Sequence, residues 1–205
     1  MKIPTKNECY QLMYEMEMMD HIVVHSMQVC RVATLLTQDL IDQGFQLNFD
    51  LIEAAALLHD ITKTRSFKTK EEHALTGGRY LTELGYSEVG SLVRQHVKLD
   101  DYPQTVSIGE AQIINYADKR VLHDKVVSLE KRKDYILEKY AKVAEHRKLI
   151  YRLWEKTKEI EDKIFRTLSF SPEDLTHLIN SEDCSVDLLE FQQICQSVLK
   201  NPSSE

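Results

Sequence analysis

The chain has 205 residues, and its 26 Lys or Arg against 33 Asp or Glu give a formal net charge of −7. This balance excludes a general binder of nucleic acid or of membrane surfaces, because such proteins carry a basic excess. No apolar run approaches the roughly 18 residues that span a bilayer. We expect a cytoplasmic protein with reduced thiols, since the four cysteines show no close pairing and the N-terminus lacks an apolar signal segment.

Helical spacing of apolar residues runs through nearly every segment, and the chain has only six glycines and four prolines. The sequence therefore predicts an all-α fold. Thr5 with Glu8 has the spacing of a capping box and starts the first helix. A second helix runs from about Asp20 to Gln43, and His25 lies on its apolar stripe.

The central helix begins near Asp50, which has Glu53 at the capping-box spacing, and it ends on His59-Asp60. Its residues 54–58 are three alanines and two leucines that leave no wide polar face, so we expect this helix to be buried. A polar pair at the end of a buried helix costs about 2–7 kcal/mol if it has no partner. The pair must therefore be hydrogen-bonded or bound to a cation.

The stretch 62–70 follows, with four cations and no acid, and we expect an irregular loop that is either solvated or an anion site. Later helices carry His73 and His96, and Ser107 begins the helix that places Asp118 on an apolar face. From Ser128 onward apolar residues recur at threes and fours among many Lys and Glu. This pattern predicts a long amphipathic helix or a pair of helices, packed on the core or on a second subunit.

Three polar anomalies lie on predicted buried helix faces: His25, His59-Asp60 and Asp118. Two imidazoles and two carboxylates form a mixed donor set that suits Mn, Fe, Co, Ni or Zn. Taken alone, His25 is better interpreted as a core histidine bonded to a carbonyl. The spacing of these residues does not establish that they meet in space.

The order of these residues, with His-Asp-Ile-Thr-Lys in the middle, resembles the HD superfamily of metal-dependent phosphohydrolases. The most similar group has His-Asp-Ile-Gly-Lys as its central motif, and Thr62 replaces the glycine here. The resemblance implies an all-α HD domain over residues 1–127 and additional C-terminal helices over residues 128–205. It also implies that one divalent transition metal is bound by His25, His59, Asp60 and Asp118.

The resemblance leaves the number of metal ions open. If a second ion binds, Asp60 bridges the two ions, and His73 and His96 complete the site. With a single ion, the same two histidines act instead as acid–base or phosphate-binding groups.

The activity implied by the resemblance is hydrolysis of a phosphate mono- or diester by a metal-bound hydroxide. Its catalytic residues are Asp60, Lys63, His73 and His96. The substrate's phosphate is neutralised by Lys63, Arg65 and Arg94. We expect a small phosphate ester or nucleotide as substrate, and neither a long nucleic acid nor a membrane as partner. The assembly we expect is a monomer or a homodimer.

Several alternatives stay open. Tyr102-Pro103 is reminiscent of cyclic-dinucleotide phosphodiesterases, and His96-Val97 keeps half of the histidine pair expected in dinucleoside-polyphosphate hydrolases. A nucleotide-sensing module with a structural metal, and a di-iron oxygenase on the same fold, are alternatives of different classes. A second His-Asp dipeptide, His123-Asp124, is surrounded by polar residues, and we predict that it lies on the surface.

Overall fold

The computed structural model describes residues 1–100, 108–179 and 184–200, and it confirms the predicted all-α class. No helix in these ranges is both long and apolar enough to cross a membrane. The helices are α1 (Lys6–Glu15), α2 (Asp20–Asp42), α3 (Phe49–Leu58), α4 (Lys63–Thr69), α5 (His73–Glu83), α6 (Ser87–Gln95), α7 (Glu110–Arg120), α8 (Leu129–Tyr140), α9 (Ala144–Phe165), α10 (Leu175–Leu178) and α11 (Cys184–Lys200). A single 3₁₀ turn, Pro172–Asp174, precedes α10, and a short hairpin joins β1 (Val121–Leu122) to β2 (Lys125–Val126).

Helix α3 lies at the centre of the molecule and packs against α1, α2, α6 and α7. Its residues from Ala54 to Leu58 are essentially inaccessible to solvent, as their lack of a polar face predicts. The N-cap lies two residues before the expected position, Asp50. It is Asn48, whose Oδ1 accepts a hydrogen bond from the backbone N–H of Leu51 at 3.0 Å. Asp50 therefore lies in the first turn, where the negative charge of a carboxylate interacts favourably with the helix dipole.

The capping box predicted at Thr5 and Glu8 is present and starts α1. Helix α7 begins at Glu110, with Gly109 as its N-cap. The predicted start at Ser107 lies outside the described residues.

The stretch after the central helix was expected to be an irregular loop, but residues 63–69 form helix α4. Local hydrogen bonds hold it: Ser66 Oγ donates to the carbonyl of Lys63 at 2.7 Å, and Lys70, at φ 62°, ends the helix in the left-handed conformation. A helix of seven residues with no buried side chain has no apolar stripe for a sequence pattern to detect. The prediction failed because it relied on periodicity.

The hairpin β1–β2 was not predicted either, since strands of two residues carry no alternating signal. Its turn consists of His123 and Asp124, and both residues are exposed, as expected. His123 adopts a left-handed conformation at φ 58°. Its backbone carbonyl nevertheless contacts the interior, as described below.

The C-terminal segment forms two helices, because α8 ends at Tyr140 and α9 begins at Ala144. A buried arginine on α7, Arg120, ties this segment to the core. Its guanidinium donates to the Glu161 carboxylate on α9 at 3.2 Å and to the carbonyl of Pro172 at 2.7 Å. The boundary after residue 127 and the packing of this segment on a second subunit stay predictions.

Helices α5 and α6 approach so closely that only glycine fits at their crossing. A Cβ on Gly78 would lie 2.6 Å from the carbonyl oxygen of Gly90, and a Cβ on Gly90 would lie 2.5 Å from that of Gly78. His73 is the first residue of α5, and His96 is the C-cap of α6. The glycine contact therefore fixes how these two histidines meet.

We expect Gly90→Ala to lower the free energy of unfolding by about 1–3 kcal/mol, because the added methyl group forces two helix backbones apart. Urea unfolding followed by circular dichroism measures the change. Ser91→Ala, at an exposed position on the same helix, is the matched control and should change stability little. Equal stability of the two variants would contradict the close packing.

We expect Arg120→Met to lower the free energy of unfolding by about 3–5 kcal/mol, because it leaves the Glu161 carboxylate without its cation. The same denaturation experiment tests this expectation. Arg152→Met removes an exposed arginine from α9 and should stay within about 0.5 kcal/mol of the wild type. An Arg120→Met protein as stable as this control would show that the buried network contributes nothing.

Candidate metal centre

Five elements bring the predicted ligands to one place inside the molecule. His25 lies in the second turn of α2, His59 is the C-cap of α3 and Asp60 follows it. The remaining three are contributed by the start of α5, the end of α6 and the last turns of α7: His73, His96 and Asp118.

Each of three buried histidines has one ring nitrogen bonded to a backbone carbonyl. The Nδ1 atom of His25 lies 3.0 Å from the carbonyl oxygen of His123. The Nδ1 atoms of His59 and His96 lie 2.7 Å from the carbonyls three residues before them, in Ala56 and Val93. A carbonyl only accepts, so Nδ1 carries the proton in each ring, and a neutral ring presents a bare lone pair at Nε2.

The Nε2 lone pairs of His25 and His59 point at carboxylates rather than at donors. His25 Nε2 lies 3.2 Å from Asp118 Oδ1, and His59 Nε2 lies 3.8 Å from the same oxygen and 3.4 Å from Asp60 Oδ2. Two acceptors that face each other repel unless a proton or a cation lies between them. Among the described residues, neither His59 Nε2 nor Asp60 Oδ1 has a hydrogen-bond partner, although both atoms are buried.

The side chain of Asp60 is 1% exposed and faces cationic and imidazole groups. Lys63 Nζ donates to Asp60 Oδ2 at 2.6 Å, while His73 Nε2 and His96 Nε2 lie 3.2 and 3.5 Å from Oδ1. Burial alone would raise the pKa of this carboxyl, but Lys63 and His59 outweigh burial and hold it well below its ordinary value. Asp60 is therefore ionised at neutral pH.

Asp118 is ionised for a similar reason. Burial would raise its pKa, and the hydrogen bond to His25 and the positive charge of Arg132 hold it well below the ordinary value. Burial in turn lowers the pKa of His96 to about 4 and lowers that of His25 against the pull of Asp118. Asp60 raises the pKa of His59 against the lowering effect of burial. The centre at pH 7 therefore combines ionised carboxylates with neutral imidazoles at His25 and His96.

This donor set fits a divalent transition metal. Among the residues that the structure describes, two groups have ligand atoms mutually close enough to hold an ion. His25, His59 and Asp118 form one, and His59, Asp60 and His96 form the other. The orphaned lone pairs and the carbonyl bonds at Nδ1 are the arrangement that metal-ligating histidines usually have. His73 Nε2 lies 3.2 Å from His96 Nε2, so it borders the second group.

Helix α7 also stabilises the C-terminal end of α6 through hydrogen bonds. The side chains of Asn115 and Lys119, both on α7, donate to the carbonyl oxygen of His96 at 2.9 and 3.1 Å. Burial lowers the pKa of Lys119 to about 8. Sequence reasoning missed this support, because a lysine beside a predicted ligand is ordinarily a surface residue.

Two of the three predicted phosphate-binding residues lie apart from the centre. Arg65 Nε donates to Glu71 at 2.7 Å, and the guanidinium of Arg94 forms a paired contact with Asp100. Lys63 alone of the three lines the cavity that opens onto the carboxylates, which has a volume of about 540 Å³. The cavity is lined on its far side by residues of α8 and α9 that sequence analysis did not single out: Arg132, Tyr135, Ile136, Lys139, Tyr140, Ile150, Leu153 and Trp154.

Comparisons with known proteins agree with this geometry. The family model described as HD domain matches residues 22–122, a range that contains every predicted metal ligand. The chain is 31% identical over 77 residues to Ribonuclease Y of Rubrobacter xylanophilus. The aligned segment covers 38% of this chain and 14% of that protein. The chain is also 29% identical over 76 residues to an uncharacterized protein of Methanocaldococcus jannaschii. That aligned segment covers 37% of this chain and 44% of that protein.

The chain thus matches less than half the length of either relative. No solved structure matches the chain significantly. The family model and the helical fold nevertheless agree on the same segment. Residues 22–122 are therefore an HD domain, and this segment belongs to the HD superfamily.

Proposed function

We propose that this chain is a metal-dependent phosphohydrolase that cleaves a phosphate ester of a nucleotide. HD domains are typically metal-dependent hydrolases, and the finer assignment rests on the site. One observation carries the proposal: three buried histidines are bonded at Nδ1 to backbone carbonyls, so their Nε2 lone pairs converge on two ionised carboxylates. Such a cluster is costly in a protein interior unless it binds a cation.

His25, His59, Asp60 and Asp118 would hold a first ion, and Asp60, His73 and His96 a second. A bound divalent ion supplies Lewis-acid polarisation of a phosphoryl oxygen and lowers the pKa of coordinated water to about 7. The chain's own contribution is to keep the ligands deprotonated and correctly turned. The carbonyl bonds at Nδ1 achieve this, because they fix the tautomer and the plane of each ring.

Lys63 is the cation that would neutralise substrate phosphate at this centre. Its ammonium lies 2.6 Å from Asp60 Oδ2, and the side chain is 28% exposed at the cavity wall. An ammonium has three donors, so Lys63 keeps its bond to Asp60 while donating to a phosphate oxygen. His73 lies at the same wall and is 25% exposed, so it is placed to exchange a proton with solvent or with a leaving oxygen.

The cavity volume of about 540 Å³ falls in the range of roughly 300–1,000 Å³ that is usual for small-molecule sites. A nucleotide fits this size, whereas a long nucleic acid is disfavoured by the net charge of −7. The name of Ribonuclease Y does not indicate the substrate of this chain, because the match covers only 14% of that protein. The motif residues of the cyclic-dinucleotide alternative, Tyr102 and Pro103, lie outside the described residues.

We expect the purified protein to retain a transition metal and to release phosphate or a phosphomonoester from nucleotides. A panel of nucleoside monophosphates and phosphodiesters with Mn, Fe, Co, Ni, Zn or Mg tests this expectation. Asp60→Asn should lower kcat about 1,000-fold or more, since it removes an ionised ligand that both proposed ions would share. The matched control is Asp124→Asn in the exposed His-Asp dipeptide, which should keep full activity.

Activity that survives in Asp60→Asn would falsify the proposal. A wild-type protein that retains metal and a nucleotide through repeated turnover assays, with no product formed, would instead support a sensing module with a structural metal. Oxygen consumption by an iron-loaded sample would favour the oxygenase alternative.

We expect two metal ions per chain, because Asp60 Oδ1 faces His73 and His96 while the first group is complete without them. Inductively coupled plasma mass spectrometry of dialysed protein gives the count. His73→Gln should reduce the count from two to one, and His146→Gln, exposed on α9, should leave it at two. A count of one in the wild type would leave His73 and His96 as acid–base or phosphate-binding groups.

A further inference from the structure

The wall of the cavity opposite the histidines is built by the C-terminal segment. Helix α8 contributes Arg132, Tyr135 and Tyr140, and α9 contributes Leu153 and Trp154. All of these residues lie outside the segment 22–122 that carries the HD domain. The cavity therefore lies between the centre in the HD domain and a wall that lies outside that domain.

Arg132 is the cation of this wall that lies nearest the centre. Its Nη2 atom lies 3.7 Å from Asp118 Oδ1, and the side chain is 12% exposed. A separation of 3.7 Å is too long for a hydrogen bond. Within the described parts of the chain, the side chain of Arg132 makes no hydrogen bond, so the guanidinium keeps its donors available beside the carboxylate.

Aromatic packing holds Arg132 in this position. Its Cζ atom lies 5.9 Å from the centre of the Tyr135 ring, within the range of a cation–π contact. Tyr135 is itself held by the ring of His123, which it meets edge to face at a centroid distance of 5.5 Å. An arginine that is oriented but not hydrogen-bonded is prepared for an anionic ligand.

The predicted phosphate-binding arginines differ on each of these points. Arg65 and Arg94 are already bonded to Glu71 and Asp100, and neither lines the cavity. Both also have side chains more than 40% exposed, where a charge contributes less to binding. Arg132 is the better placed candidate by partner, by location and by burial.

Resting on the proposed function, we infer that Arg132 binds the phosphate of the substrate and that α8 and α9 hold the organic group esterified to it. Arginine matches phosphate with two parallel N–H donors, which an ammonium cannot provide. Beyond Arg132 the wall becomes aromatic and aliphatic, with Tyr140, Leu153 and Trp154. A phosphate beside a flat apolar surface is the recognition pattern of a nucleoside monophosphate.

A purely structural role is the competing explanation, in which Arg132 serves only to neutralise Asp118. That role predicts loss of metal or of stability on substitution, and no specific effect on anion binding. The proposed role predicts weaker phosphate binding by a protein that keeps its metal. The two roles are therefore separable in one set of variants.

The test measures binding of inorganic phosphate to the metal-loaded protein by isothermal titration calorimetry, together with metal content and thermal unfolding. Arg132→Gln should raise the Kd for phosphate about 10- to 100-fold, as expected for lost charge-assisted hydrogen bonds. Arg132→Lys keeps the charge without the paired donors, so its Kd for phosphate should lie between those of the wild type and Arg132→Gln. Arg147→Gln, exposed on α9 and away from the cavity, is the matched control and should bind as the wild type does.

For any nucleotide that the protein hydrolyses, Arg132→Gln should raise KM more than it lowers kcat. If the wild type hydrolyses nothing, the proposed function fails, and the phosphate titrations still decide the role of Arg132. Unchanged phosphate affinity in Arg132→Gln, or a wild type that binds no phosphate, overturns the inference. Loss of metal from both Arg132 variants also overturns it, in favour of the structural role.

Discussion

The bonds between histidine Nδ1 atoms and backbone carbonyls are the constraint on which the site depends. Each bond fixes one tautomer and one ring plane, so three lone pairs are directed at the same carboxylates. Two of the acceptors, the carbonyls of Ala56 and Val93, belong to the last turns of the helices that the histidines terminate. The same helix ends thus supply both the ligands and their orientation.

Much of this arrangement could be predicted from the sequence. An all-apolar helix that ends on His59-Asp60 indicates a buried polar pair, and both residues are buried in the structure. The resemblance of the residue order to the HD superfamily added the relation to His25 and Asp118. Burial patterns and motif order are strong signals, because a buried charge without a partner is costly enough to be rare.

The parts that could not be predicted depend on contacts between segments distant in the chain. The salt bridges of Arg65 and Arg94 with nearby carboxylates depend on side-chain conformation, which the periodicity of the sequence does not reveal. Arg132 occurs in a run of charges typical of a solvated helix face, and only the packing of α8 over the cavity distinguishes it. The hairpin turn at His123 carries no strand pattern, yet its carbonyl holds the His25 ring.

The carboxylates of Asp60 and Asp118 each face a cation, since Lys63 contacts Asp60 and Arg132 lies beside Asp118. Lys119 and Lys139 add further positive charge to the lining of the same cavity. A divalent ion bound at this centre would add two more positive charges to the enclosure. The resulting positive potential would attract an anionic substrate.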